Sequence, residues 1–200
     1  MSILPAPSRV DKPAELQDQQ KKYQKLENVP ARYREYPNFE DLIEDPAHRG
    51  HPCGKTIREA MAACEADLSG KIKGPVSRPN ESYIDFFDGD GHPFDVKTPL
   101  SPSKGDKWEF DPYSNADTII KQLGMDYKNK VTGEKEPVAV LLDTSYMKTQ
   151  DRIDLWHQLM KKTKEDRSVL KRIFEVNIKP EETNQKVNPM VLKKLAQKEM

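Results

Sequence analysis

The sequence predicts an α/β or α+β fold, a sheet with helices packed against it, on three observations. Ile57, Ala60, Met61, Cys64 and Leu68 recur at the spacing of a helix with one buried face. SYIDFF and FDVKT, rich in aromatic and β-branched residues, flank the turn-prone DGDGHP and read as a β-hairpin. PVAVLLDTS is an almost continuous apolar run, as expected of a central strand covered on both faces. A helical pattern and a last strand, IFEVNI, follow it, so the order is helix, strand, strand, helix, strand, helix, strand.

Residues 1–50 carry prolines at 5, 7, 13, 30, 37 and 46 and read as an N-terminal arm. Within it, AELQDQQKKYQKLE has only the widely spaced Leu16, Tyr23 and Leu26 to bury, which suits either a surface helix or a mobile arm. The domain proper is expected over 51–180. Its first helix stops at Gly70, and GKIKGPVSRPN links it to the hairpin. Pro99, Pro102 and Gly105 then open a loop, and Asn115 is a candidate cap for ADTIIKQL, which ends before Gly124. The next helix places Ile153, Leu155, Trp156 and Leu159 on one face, and the basic stretch KKTKEDRSVLKR leads into the last strand. Residues 181–200 form a tail in which Asn188 and Pro189 precede a short helix, MVLKKLAQK.

Composition restricts the function classes. Thirty-three basic residues balance thirty-three acidic ones, which removes any whole-protein field attracting nucleic acid or an acidic membrane. From Lys148 onward, however, 13 Lys or Arg face 8 Asp or Glu, a mild local basic bias. Two cysteines, Cys53 and Cys64, without CxxC spacing give no disulfide framework and suit a reducing compartment. No apolar run reaches the length of a membrane helix, and MSILPAPSRVDKP lacks a signal-peptide pattern, so a soluble chain is expected. A domain excised from a longer exported parent has the same appearance.

The chemistry concentrates at the hairpin. Asp85 ends the first strand-like run, and Asp95, Val96 and Lys97 lie on the second. Alternation along a strand puts Asp95 and Lys97 on one face, and the hairpin can bring Asp85 to them. Two carboxylates and the Val96 carbonyl are a hard-oxygen ligand set for magnesium that leaves room for water. Lys97 can then position a nucleophile or stabilise a charged transition state, as phosphodiester hydrolysis requires.

These residues, in IDFFDGDGHPFDVKT, resemble the core of the PD-(D/E)xK phosphodiesterase superfamily, whose restriction-endonuclease-like fold is a mixed sheet flanked by helices. The resemblance covers roughly residues 54 to 178. It implies Asp85 as the first acid, Asp95 and Lys97 as the acid-x-Lys element, Mg²⁺ or Mn²⁺ as cofactor and Glu59 as an acid on the preceding helix. Helical geometry alone favours Glu65, which borders the apolar stripe beside Met61, whereas Glu59 falls nearly opposite its centre. Lys121 and Gln122 on the next helix occupy places where some relatives contact substrate. The compact size and the proline-rich lead resemble nuclease domains of bacterial polymorphic and contact-dependent inhibition toxins. That likeness implies action on RNA, transfer RNA in particular, in a bacterial cytoplasm, and a cognate immunity protein. The alternatives are a DNA nuclease of repair, restriction or phage type, and a catalytically inactive module that binds nucleic acid or protein on the same fold.

Other features have plainer readings. DGDG offers Asp88 and Asp90 at the spacing of calcium ligands, but the rest of a calcium loop is missing and a hairpin turn is expected. His48, His51 and Cys53 lack a fourth ligand for zinc. Asp143 is read as a turn cap rather than a site residue, and Trp156 and Leu159 as core. Tyr113, Tyr127 and Tyr146 can either stack on unpaired bases or pack. The KKTK run is read as a solvated helix end unless the fold brings it beside the hairpin.

Overall fold

In the computed structural model, which describes residues 13–44, 51–103 and 105–180, four strands form a mixed sheet. They are β1 (Phe86–Phe87), β2 (Pro93–Lys97), β5 (Ala139–Asp143) and β6 (Ile173–Val176), in the order β1-β2-β5-β6. β1 pairs antiparallel with β2, while β2, β5 and β6 run parallel. The two remaining strands, β3 (Asp126–Lys128) and β4 (Lys135–Pro137), make a separate antiparallel ribbon. The ribbon was not predicted, because DYK and KEP are polar and mostly exposed and carry no apolar alternation.

Alternation along the central strands divides the core. Phe94, Val96, Ala139, Leu141 and Val176 face one layer, built on α4 (Gly54–Leu68). Val140, Leu142 and Ile173 face the other, built on α5 (Pro112–Leu123), α6 (Thr149–Lys162) and α7 (Arg167–Leu170). Trp156 and Leu159 lie in this second layer, as core residues.

The N-terminal segment corrects the expectation of an arm beside the domain. Its described part forms α1 (Pro13–Lys22), α2 (Ala31–Arg34) and α3 (Phe39–Leu42), with a 3-10 turn at Leu26–Asn28. Tyr23, Val29, Tyr33, Tyr36, Phe39, Leu42 and Ile43 enter the same core as α4 and the sheet. α4 is therefore buried almost all round, with every residue from Thr56 to Ala66 except Arg58 buried and Leu68, expected on the stripe, exposed. Alanines at 60, 62, 63 and 66 make this possible, since small side chains let the sheet approach one face and the arm helices the other.

α5 begins earlier than Asn115. Asp111 caps it, accepting the N–H groups of Tyr113 and Ser114 at 3.0 Å each, with Pro112 in the first turn. The expected helix after Pro189 and His48 of the zinc reading lie outside the described residues. No helix among the described residues is long and apolar enough to cross a membrane.

Candidate active site

Asp85 stands immediately before β1, at the outer edge of the sheet. Its N–H donates to the Phe94 carbonyl at 3.0 Å, and its Oδ2 accepts the Val96 N–H at 2.7 Å. Extending the register in which Phe86 faces Phe94 sets Asp85 opposite Asp95. The carboxylate thus takes a backbone donor at the end of the short β1, which ties side chain to strand pairing. Two residues beyond Asp95 on the same face, Lys97 brings Nζ to 2.6 Å from Asp95 Oδ2.

Glu59 reaches this group from α4, and it is 2% exposed. Lys55, one turn back, lies 3.4 Å from Oε1, and Nη2 of Arg78 lies 3.7 Å from Oε2. The Arg78 guanidinium also covers the Phe86 ring, 4.4 Å from its centroid, and donates through Nε to the Leu42 carbonyl at 2.6 Å. Burial, and then the charges of Glu59 and Asp95, push the Asp85 carboxyl up to about 8, against the Val96 hydrogen bond and the Arg78 charge.

The rival acid has other work. Glu65 Oε2 accepts from Arg32 Nε and from the Tyr33 hydroxyl, each at 2.9 Å, while Lys179 Nζ lies 3.7 Å from Oε1. It fastens the N-terminal helices and the chain leaving β6 to α4. Wheel geometry favours Glu65 because it assumes one buried face, whereas both faces of the helix are covered and both glutamates are buried.

Hard carboxylate oxygens suit magnesium. Among the described residues no three Asp, Glu, His or Cys side chains converge as a metal site of their own. A fit therefore rests on the pair Asp85 and Asp95, completed by water. Burial, and then the crowding of like charges, raise the Asp85 carboxyl, and the crowding is a condition that a divalent cation at the pair would relieve. With it, the arrangement can bind a phosphoryl oxygen and orient water, and Lys97 can supply positive charge beside the reacting group.

The other candidates fall elsewhere. Lys121 is exposed and Gln122 half-buried on α5, and neither side chain bonds to the hairpin carboxylates. Asp88 Oδ1 accepts the N–H groups of Asp90 and His92 at 2.9 Å each, so DGDG is the hairpin turn. Gly91 has φ +83° there, and an added Cβ would sit 2.4 Å from Asn129 Oδ1. Cys53 ends the chain segment entering α4 and donates its N–H to Thr56 Oγ1 at 2.9 Å. Asp143 Oδ1 accepts the Ser145 N–H at 2.9 Å, the expected turn role. Tyr146 is fully buried and follows the packing reading, whereas Tyr113 is exposed. A cavity of about 610 Å³ opens between Phe94, Phe174, Lys71, Lys73 and His92, and Glu59, Asp85 and Asp95 do not line it.

Sequence reasoning missed Lys55 and Arg78. Lys55 precedes Glu59 by four residues, a visible pairing signal. Arg78 sits in an irregular linker, where no periodicity marks it. Comparisons with protein-family models, with curated proteins and with solved structures each find no match.

Proposed function

We propose that this chain is a metal-dependent endonuclease of restriction-endonuclease-like fold, hydrolysing phosphodiester bonds with Mg²⁺ or Mn²⁺. The supporting observation is Asp85 set opposite Asp95 at a hairpin edge, within electrostatic reach of Glu59, with Lys97 Nζ 2.6 Å from Asp95. Asp85 and Asp95 would hold the ion, Glu59 would complete the acidic environment, and Lys97 would orient water or stabilise the charged transition state. The ion's contribution is to polarise the phosphoryl group and acidify bound water. RNA, transfer RNA in particular, is the favoured substrate over DNA, consistent with a chain of no net charge that meets its target at a local patch. The role is that of a bacterial toxin domain, delivered as part of a longer protein, acting in the cytoplasm and neutralised by a cognate immunity protein over the cleft.

A second reading is favoured by one observation: Asp95 and Glu59 already have Lys97, Lys55 and Arg78 beside them. A closed ion network of this kind suits an inactive binding module. Purified chain incubated with transfer RNA and with plasmid, in magnesium and in chelator, separates the readings. Metal-dependent cleavage of transfer RNA, reduced at least about 100-fold in folded Asp95→Ala and Lys97→Ala, is expected. Cleavage of plasmid alone transfers the reading to a DNA nuclease. No cleavage by wild type, or full activity in the variants, removes the site.

A further inference from the structure

Three aromatic rings are layered beside the segment that enters Asp85. Phe87 and Tyr127 have centroids 6.1 Å apart at 38°, and Tyr127 and Tyr83 follow at 6.3 Å and 36°. Phe87 is buried, Tyr127 half-buried, and Tyr83 at the outer end is 68% exposed. The inner two rings have structural work. They join Ile84 and Val138 in a small satellite core that seats the β3–β4 ribbon on the hairpin, and the Tyr127 hydroxyl donates to Glu81 Oε2 at 2.7 Å.

Tyr83 adds little to that packing. Unlike the other exposed aromatics, this ring rests on two ordered rings and has its outer face open to a ligand. Its position narrows the choice of ligand. Two residues span at most roughly 7 Å, so Tyr83 lies within about two nucleotides of Asp85 at roughly 3.4 Å of rise each. A cation is nearby, since Lys130 Nζ lies 6.0 Å from the Phe87 centroid and donates to Ser77 Oγ at 2.8 Å. Glu81 opposes it, which disfavours a phosphate directly over Tyr127 and leaves the ring face of Tyr83 for a base.

We propose that Tyr83 is a stacking platform for an unpaired base of the polynucleotide, one or two nucleotides from the bond at Asp85. The proposal rests on the nuclease reading and narrows its substrate to single-stranded or loop segments, since a paired base cannot offer its face to a side chain at the rim of the site.

The test has two arms on the full chain. In chelator, where no cutting is expected, binding of a fluorescein-labelled unpaired 12-nucleotide RNA and of the same strand in a duplex is measured by anisotropy. Wild type should prefer the single strand, Tyr83→Ala should lose about tenfold in affinity and the preference with it, and Tyr83→Phe and Tyr83→Trp should keep both. In magnesium, Tyr83→Ala should raise KM for transfer RNA by a similar factor with kcat little changed. Equal binding of single strand by Tyr83→Ala and wild type, no preference over duplex, or no RNA binding overturns the platform. Tyr83-dependent binding without cleavage keeps the platform and removes the nuclease. Cleavage indifferent to Tyr83→Ala does the reverse. Thermal melting of each variant verifies its fold, and Tyr83→Leu, which keeps apolar bulk without a stacking ring, should lose affinity as Tyr83→Ala does and reports if the alanine variant is unstable.

Discussion

At Asp85 the carboxylate accepts the Val96 N–H at 2.7 Å while burial, Glu59 and Asp95 raise its pKa to about 8. The unfolded chain releases that proton near the ordinary carboxylate value of about 4. The folded, metal-free chain therefore holds more protons than the unfolded one between these two values. The stability that Asp85 contributes is fully present below about pH 4, falls as pH rises through that window and is lost above about 8. Thermal melts in chelator from pH 5 to 8.5 should show this decline, and Asp85→Asn, which keeps the side chain's shape, should flatten it. An unchanged slope in Asp85→Asn would remove the assignment. Asp85, Asp95 and Lys97 were legible in sequence because strand alternation and a short turn fix their relative places. Arg78 was not legible, because its position against Glu59 and Phe86 depends on how an irregular linker crosses the fold.

Among elements, α6 is tied to β6 by a buried ion pair. Arg152 binds both oxygens of Glu175, with Nη2 2.6 Å from Oε2, and the Thr144 hydroxyl adds a bond at 2.9 Å. Burial pushes the Glu175 carboxyl up, but the Arg152 hydrogen bond and charge outweigh it and hold the group below its usual range. Arg152→Met leaves that carboxylate buried and unpaired, and should cost about 3–5 kcal/mol in denaturant unfolding near pH 7. The double variant with Glu175→Gln should recover much of this; a loss below about 1 kcal/mol in the single variant would show that the pair contributes little. The element order was readable because β5 and β6 are apolar and the helices periodic. The helix acid was not, since a wheel assumes one buried face and α4 has two.

Over the whole molecule, the N-terminal helices, α4 and the sheet share one apolar interior. The prolines and polar runs of residues 13–44 suggested an arm, because Tyr23, Tyr33, Tyr36, Phe39 and Leu42 are spread over separate short helices that no single periodicity captures. Leu42, with no exposed surface, tests the point. Leu42→Ala should destabilise the entire chain by about 2–5 kcal/mol in one cooperative transition. A separate early transition that leaves the sheet intact would instead make this segment an independent layer.

The bond from Val96 to Asp85 has a consequence for descent. A two-residue strand at a sheet edge has little to hold its pairing, and a slip by one residue would turn Phe86 out of the core. Asp85 is a register mark as well as a candidate ligand. A lineage under no demand on this site would lose only an ion pair with Lys97, but would loosen the strand pairing with any residue at 85 that cannot accept the Val96 N–H. Change in such a lineage should therefore begin at the lysine, with position 85 held to Asp or Asn.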